Sequence, residues 1–103
     1  LILESDVHPG LDGIAVDDEI IVLTWLHEAD RDILRVHPRG DLSRPEAGVF
    51  NTRAPSRPNP IGLHRVRVLG IDGVRLHVSG LEAIDGTPVV DLKPVLSGDI
   101  DER

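Results

Sequence analysis

The sequence predicts an all-β fold, a small antiparallel β-barrel, and three observations carry that prediction. The apolar residues are almost all Val, Ile and Leu, gathered in short runs with one Trp and one Phe, which suits pleated strands. No stretch repeats its apolar residues at the spacing of a helix face. Turn signals such as Asp12-Gly13 and Asp72-Gly73 punctuate the runs. A chain of 103 residues is expected to make one domain, residues 1–103, with a modest core. Closing short strands into a barrel would remove their exposed edges.

Residues 1–17 mix Leu, Ile, acids and two glycines without clear periodicity. The first strand is Ile20 to Leu26, a near-continuous run rich in β-branched residues that reads as buried on both faces and is too short for a buried helix. Trp25 within it is expected in the core. His27-Glu28-Ala29-Asp30 follows, but a zinc site needs three or four ligands and no second cluster answers this one, so no metal is expected. Asp32 to Val36 reads as one short strand, and His37-Pro38-Arg39-Gly40-Asp41 as a loop. Ile61 to Leu69 and Val74 to Leu81 read as a hairpin joined through Asp72-Gly73, a type I′ signal. A two-residue loop there would set Leu69 against Leu76, Ile71 against Val74 and Arg67 against Val78. Glu82 to Pro88 is a loop, Val89 to Lys93 the last strand, closed by Pro94, and Ser97 to Arg103 a polar tail. The expected core includes Leu23, Phe50, Val66 or Leu69, Leu76 and Val90.

Between these strands lies Gly48 to Gly62, GVFNTRAPSRPNPIG. Pro55, Pro58 and Pro60 fix their own φ and push Ala54, Arg57 and Asn59 out of the helical region. The expected result is a stiff, non-helical loop that presents Arg53 and Arg57 from a rigid backbone, with Phe50 pinning its start into the core. A rigid loop loses little ordering entropy when it takes a ligand. On composition alone it is equally a proline-rich surface crossover.

Charge and motif exclusions narrow the function. The net charge is −7, yet it is unevenly spread. Residues 1–30 hold eight acids and no Lys or Arg, while residues 31–67 hold eight arginines against three acids. A basic middle on an acidic chain permits a phosphate-facing patch; pairing of those arginines with the acids is the competing account. With no Cys there is neither a disulfide framework nor a thiolate metal site, which fits a reducing cytoplasm. No apolar run approaches the roughly 18 residues of a membrane helix. There is no G-x-G-x-x-G after a strand, so a Rossmann-type nucleotide site is disfavoured, and there is no phosphate-cradling G-x-x-x-x-G-K-[ST].

Gly48, Val49, Phe50, Arg53, Ala54, Arg57, Pro58, Asn59, Pro60, Ile61 and Gly62 resemble the signature of the TrmO (YaeB/TsaA-like) family of S-adenosylmethionine-dependent tRNA methyltransferases. A second block follows as Asp85-Gly86-Thr87-Pro88 leading into Asp91-Leu92-Lys93-Pro94, and Val36 to Asp41 is similar to one branch of the family. Asn51 departs from the family's usual small residue, and Asp17-Asp18-Glu19 replaces its usual Phe-Ser-His. The family's opening strand has no counterpart, so an N-terminal truncation is expected.

The resemblance implies a cytoplasmic homodimer of β-barrels that binds S-adenosylmethionine near the dimer interface and methylates N6 of threonylcarbamoyladenosine beside the tRNA anticodon. It implies cofactor contacts from Phe50, Thr52, Arg53, Arg57, Pro58, Asn59, Ile61 and Gly62, and from Asp85, Gly86 and Thr87. Arg53 and Arg57 could clamp a carboxylate bidentately, and Asn59 could bond an adenine or an amide. Arg35, Arg39, Arg44 and Lys93 are the candidates for tRNA contact. For a general base the candidates are Asp85 and, as an imidazole able to take a proton, His37. Asp91 is a further acid of the second block. Two alternatives share the fold: a methyltransferase with another acceptor, and a regulatory S-adenosylmethionine-binding barrel without turnover.

Overall fold

The computed structural model describes residues 1–81 and 86–96. Its strands are β1 (Glu19–Trp25), β2 (Arg35–Val36), β3 (Ala47–Gly48), β4 (Ile61–Asp72), β5 (Arg75–Ser79) and β6 (Val89–Pro94). β5, β4, β1 and β6 form one sheet in that order, and β2 pairs with β3 in a separate ribbon. The only helical elements among the described residues are short 3-10 segments. The all-β expectation holds, and the hairpin pairs antiparallel. The described strands leave the sheet open, with no closed barrel among them. The chain divides into two compact units. One comprises Leu1–Val22, Leu63–Glu82 and Asp91–Arg103; the other comprises Leu23–Gly62 and Ala83–Val90.

The first unit holds the apolar core. Ile20, Val22, Val66, Val68 and Leu76 are buried together, with Leu1, Leu3, Ile14, Val78, Leu81 and Leu92 packed around them. Fully burying each such side chain stabilises by about 1.5–3 kcal/mol before chain entropy is counted. β1 alternates rather than burying both faces: Ile20, Val22 and Thr24 are buried, while Ile21, Leu23 and Trp25 are half-buried. The expectation for β1 is corrected accordingly, because a strand's period of two sends alternate side chains to opposite faces.

The hairpin forms in a different register from the one expected. Asp72 pairs with Arg75, so the two loop residues are Gly73 and Val74, one position later than Asp72-Gly73. Gly73 takes φ 59°, the positive value this loop position demands and glycine accepts without a Cβ clash. Pairing then runs Ile71 to Leu76 and Gly70 to His77, slips at Leu69, and resumes as Val68 to Val78. This bulge sets two residues of β4 against one of β5. It brings Val68 and Ile71, three apart in sequence, onto the face that Leu76 and Val78 share. Without it, either Val68 or Leu76 would point outward. Leu69 is displaced to 55% exposure, so Val66 and not Leu69 is the core residue.

The N-terminal segment, unpatterned in sequence, is structured. Leu1 and Leu3 bond the backbone of Leu76 and Val74, which extends pairing past β5. Ser5–Leu11 is a 3-10 segment that buries Leu11. Asp12-Gly13 forms the expected turn, with Gly13 at φ 94°.

The second unit contains the β2–β3 ribbon and the proline loop. β2 is only Arg35–Val36 rather than Asp32 to Val36; it pairs Arg35 with Gly48 and Val36 with Ala47. Phe50 is 79% exposed, which overturns the expectation that it anchors the loop in the core. Its neighbour Val49, 1% exposed, does so instead. Both lie in the 3-10 turn Val49–Asn51, where successive side chains point about 120° apart and only one can face inward. Val90, also expected in the core, is exposed, at 56%; it lies on β6, an edge strand among the described residues.

Candidate functional site

The proline loop is built by its own side chains. After Val49–Asn51 it runs to Pro60 without regular structure, as its prolines predict. Thr52 Oγ1 donates to Val49 O (3.0 Å) and accepts from Ala54 N–H (3.2 Å). Arg57 turns back: its Nη1 donates to Thr52 O (3.0 Å) and Ala54 O (3.2 Å), while its backbone N–H donates to Asp30 O (2.9 Å). One guanidinium thus satisfies two loop carbonyls that a proline-interrupted backbone cannot pair by itself. Pro60 is fully buried and its carbonyl accepts from Leu26 N–H at 2.8 Å. Ile61 N–H returns to Asn59 O at 2.8 Å, a three-residue turn whose centre, Pro60, has its φ preset close to what that turn needs.

A residue outside the expected site braces this turn. Arg31 Nε donates to Pro58 O (2.7 Å) and Nη2 to Asn59 Oδ1 (3.2 Å). Its guanidinium lies over the Trp25 ring, 5.3 Å from the centroid, a cation–π arrangement. Trp25 is therefore half-buried and stacked by arginine rather than a core residue. The chain reverses between them through a turn in which Ala29 N–H bonds Leu26 O (3.0 Å), and His27 and Glu28 stand exposed on it. In sequence Arg31 is only one arginine of the basic segment. The signal that could have singled it out was the lone Trp one tight turn before it.

The remaining candidates divide by what holds them. Phe50, Arg53, Asn59 and Ile61 are exposed, Thr52, Arg57 and Pro58 half-buried, and Gly62 buried. Arg53 has no hydrogen bond or ion pair among the described residues, so its fork is open to a ligand. Gly86 is exposed at φ 84°, and Thr87 is half-buried. Asp85 lies outside the described residues. Arg35 faces Glu46 (3.4 Å) and Arg44 faces Asp41 (3.5 Å), both exposed pairs. Arg39 is exposed and unpaired among the described residues, at φ 56°, an uncommon backbone state for a residue other than glycine. Asp41 accepts from Ser43 Oγ (2.6 Å) and Ser43 N–H (2.9 Å), and these bonds hold its carboxyl below the ordinary value. His37 Nδ1 lies 2.9 Å from Arg44 O. A carbonyl only accepts, so Nδ1 is the donor in this contact and Nε2 is the ring nitrogen left for another partner. Lys93 is exposed and belongs to the other unit, as does Asp91. Among the described residues no three His, Asp or Glu side chains could hold a metal ion, and no helix is long and apolar enough to cross a membrane.

The loop thus offers an exposed aromatic ring, an open guanidinium and an exposed amide from a backbone that its own side chains lock. A guanidinium can pair with a carboxylate, a ring can stack on a ring, and an amide both donates and accepts. The fold is a small antiparallel β domain that carries a rigid candidate binding loop, unlike a glycine-rich phosphate cradle. The chain belongs to the tRNA-methyltransferase O N-terminal domain family, whose profile it matches over residues 1–101. A "Probable S-adenosyl-L-methionine-binding protein" of Methanothermobacter thermautotrophicus is 50% identical over 97 residues, covering 88% of this chain and 69% of that protein. An "S-adenosyl-L-methionine-binding protein" of Archaeoglobus fulgidus is 52% identical over 84 residues, covering 82% and 59%. The crystal structure of TrmO from Pseudomonas aeruginosa superposes with a TM-score of 0.69 at 34% identity, over 100% of this chain and 44% of that one.

Proposed function

We propose that the chain binds S-adenosylmethionine on the Phe50–Gly62 loop and serves as a methyltransferase on tRNA, at N6 of threonylcarbamoyladenosine beside the anticodon. The observation that carries this reading is the loop itself: family-signature residues from Gly48 to Gly62 form one braced platform with Arg53 open and Phe50 exposed. When bound, the cofactor supplies an activated sulfonium methyl. The chain's task is then alignment of acceptor nitrogen, methyl and departing sulfur, which can contribute about 7–11 kcal/mol. Arg53 meets a carboxylate, Phe50 stacks on a ring, and Asn59 hydrogen-bonds, each from a backbone that needs no ordering. The acceptor nitrogen must also lose a proton. His37 Nε2 and Asp85 are the candidates to take it.

On this reading Arg39, with Arg35 and Arg44, meets tRNA phosphates. Exposed ion pairs such as those of Arg35 and Arg44 are worth at most about 1 kcal/mol and yield readily to phosphate. Lys93 is the remaining candidate contact. The whole is read as one cytoplasmic domain that pairs as a homodimer; the mixed outward face of β4, where Leu63 (48% exposed) and Leu69 (55%) flank Arg65 and Arg67, supports pairing. Closure of the open sheet into a barrel goes with that reading. The test is transfer of labelled methyl from S-adenosylmethionine to total tRNA, followed by nucleoside analysis. The expected product is the N6-methylated threonylcarbamoyladenosine. Label in another nucleoside would replace the acceptor. Binding without transfer would favour the reading of an S-adenosylmethionine-binding domain without turnover, with which the "binding protein" names of the relatives agree.

A further inference from the structure

We infer that Arg31 is the positioning residue of the proline loop, and that its hold on Asn59 makes this amide a donor for an acceptor group of the ligand, a carboxylate or a ring nitrogen. The inference deepens the proposed function and rests on its placing of the ligand at this loop. A guanidinium carries only donors, so the arm of the Asn59 amide that faces Arg31 Nη2 at 3.2 Å must be Oδ1. Nδ2, on the opposite arm of an exposed side chain, then keeps both of its N–H groups for a partner. Among the described residues Arg31 is the one side-chain partner Asn59 has.

The backbone leaves Asn59 few other ways to turn. Pro58 and Pro60 flank it, and the Ile61 N–H bond to Asn59 O closes the turn. What remains free is the side-chain torsions, and Arg31 restricts those. Arg31 is itself held at three points: the Trp25 ring, Pro58 O and Asn59 Oδ1. A planar, stacked fork of this kind is not replaceable by a lysine point charge. The device selects by chemistry, because a ligand donor placed opposite Nδ2 would meet another donor and be left unpaired.

The test uses Asn59→Asp, Arg31→Ala and Arg31→Lys beside the wild type, with calorimetric titration of S-adenosylmethionine, thermal melting, and NMR of the Asn59 side-chain amide. Asn59→Asp keeps an acceptor for Arg31 and should melt at or above the wild-type temperature. Its outward arm has become an acceptor, so affinity should fall by roughly tenfold or more. A merely structural role predicts unchanged affinity there. Arg31→Ala should lower affinity and collapse the Asn59 amide proton pair toward its free-chain shifts, with Arg31→Lys restoring only part. Wild-type affinity in Asn59→Asp overturns the donor assignment, and an unmoved amide pair in Arg31→Ala overturns the positioning. Should Arg31→Ala not fold, Asn59→Asp still decides, since it retains the brace. A wild type that binds no S-adenosylmethionine overturns the proposed function and the acceptor preference with it, while the amide resonances still judge Arg31.

Discussion

Arg53 and Arg57, four residues apart in one loop, should respond oppositely to replacement by alanine. Arg57 Nη1 serves two carbonyls, Thr52 O and Ala54 O, from a half-buried side chain. A hydrogen bond from a charged donor contributes about 1.5–3 kcal/mol when well shielded. Here one nitrogen serves both acceptors and water can replace it in part, so Arg57→Ala should destabilise by about 1–2 kcal/mol. For a domain of this size each kcal/mol lowers the melting temperature by about 4–8 °C. Arg53 is exposed and has no partner among the described residues, so Arg53→Ala should change stability by less than about 0.5 kcal/mol. It should nevertheless weaken S-adenosylmethionine, since it removes the open fork. Thermal melts and calorimetric titrations on the two variants separate these effects. Arg57→Ala melting like the wild type while Arg53→Ala loses stability would refute the division of labour.

Two further outcomes follow from charge. Glu19 is held below its ordinary value of 4.5, chiefly by its hydrogen bond from Arg65, then by the nearby Arg65 and Arg67 charges. A depressed folded value means a contribution present above pH 4.5 and lost as pH falls through the folded value. Melts of wild type and Glu19→Gln from pH 7 to 3 should therefore converge on the acid side, and added salt should narrow their gap at neutral pH. For tRNA, Arg39→Ala should weaken binding and reduce the salt slope by roughly one unit. Arg35→Ala and Arg44→Ala should act in the same direction, and all three should leave cofactor affinity near wild type. Filter binding across a salt series checks this, and unchanged slopes in all three would remove tRNA from their role.

How far the sequence reaches can be seen residue by residue. β1, β6 and the non-helical proline loop were legible because β-branched runs and prolines act locally, through sterics that hold in any context. The Leu69 bulge was not legible. Asp72-Gly73 and Gly73-Val74 are both acceptable turns, and the burial of Val68 and Leu76 on one face decides between them. Val49 and Phe50 show the same limit: hydrophobicity favours Phe50, but one 3-10 turn admits only one of the two inward. Leu1–Leu3 pairs through backbone bonds to β5 and needs no side-chain pattern. In the site, sequence marks which residues cluster in the loop and misses how they bond. Arg57 looks outward-facing as a motif residue, yet the carbonyls left unpaired by the prolines draw it in. Arg31 is distant in sequence from the turn it braces.

The central claim is that the Phe50–Gly62 loop holds S-adenosylmethionine, and backbone NMR during a titration tests it most directly. Amides of Thr52, Arg57, Asn59, Ile61 and Gly62 should shift and saturate together, with those of β5, Arg75–Ser79, staying in place. Saturation with shifts confined to β5, or none in the loop, would contradict the account.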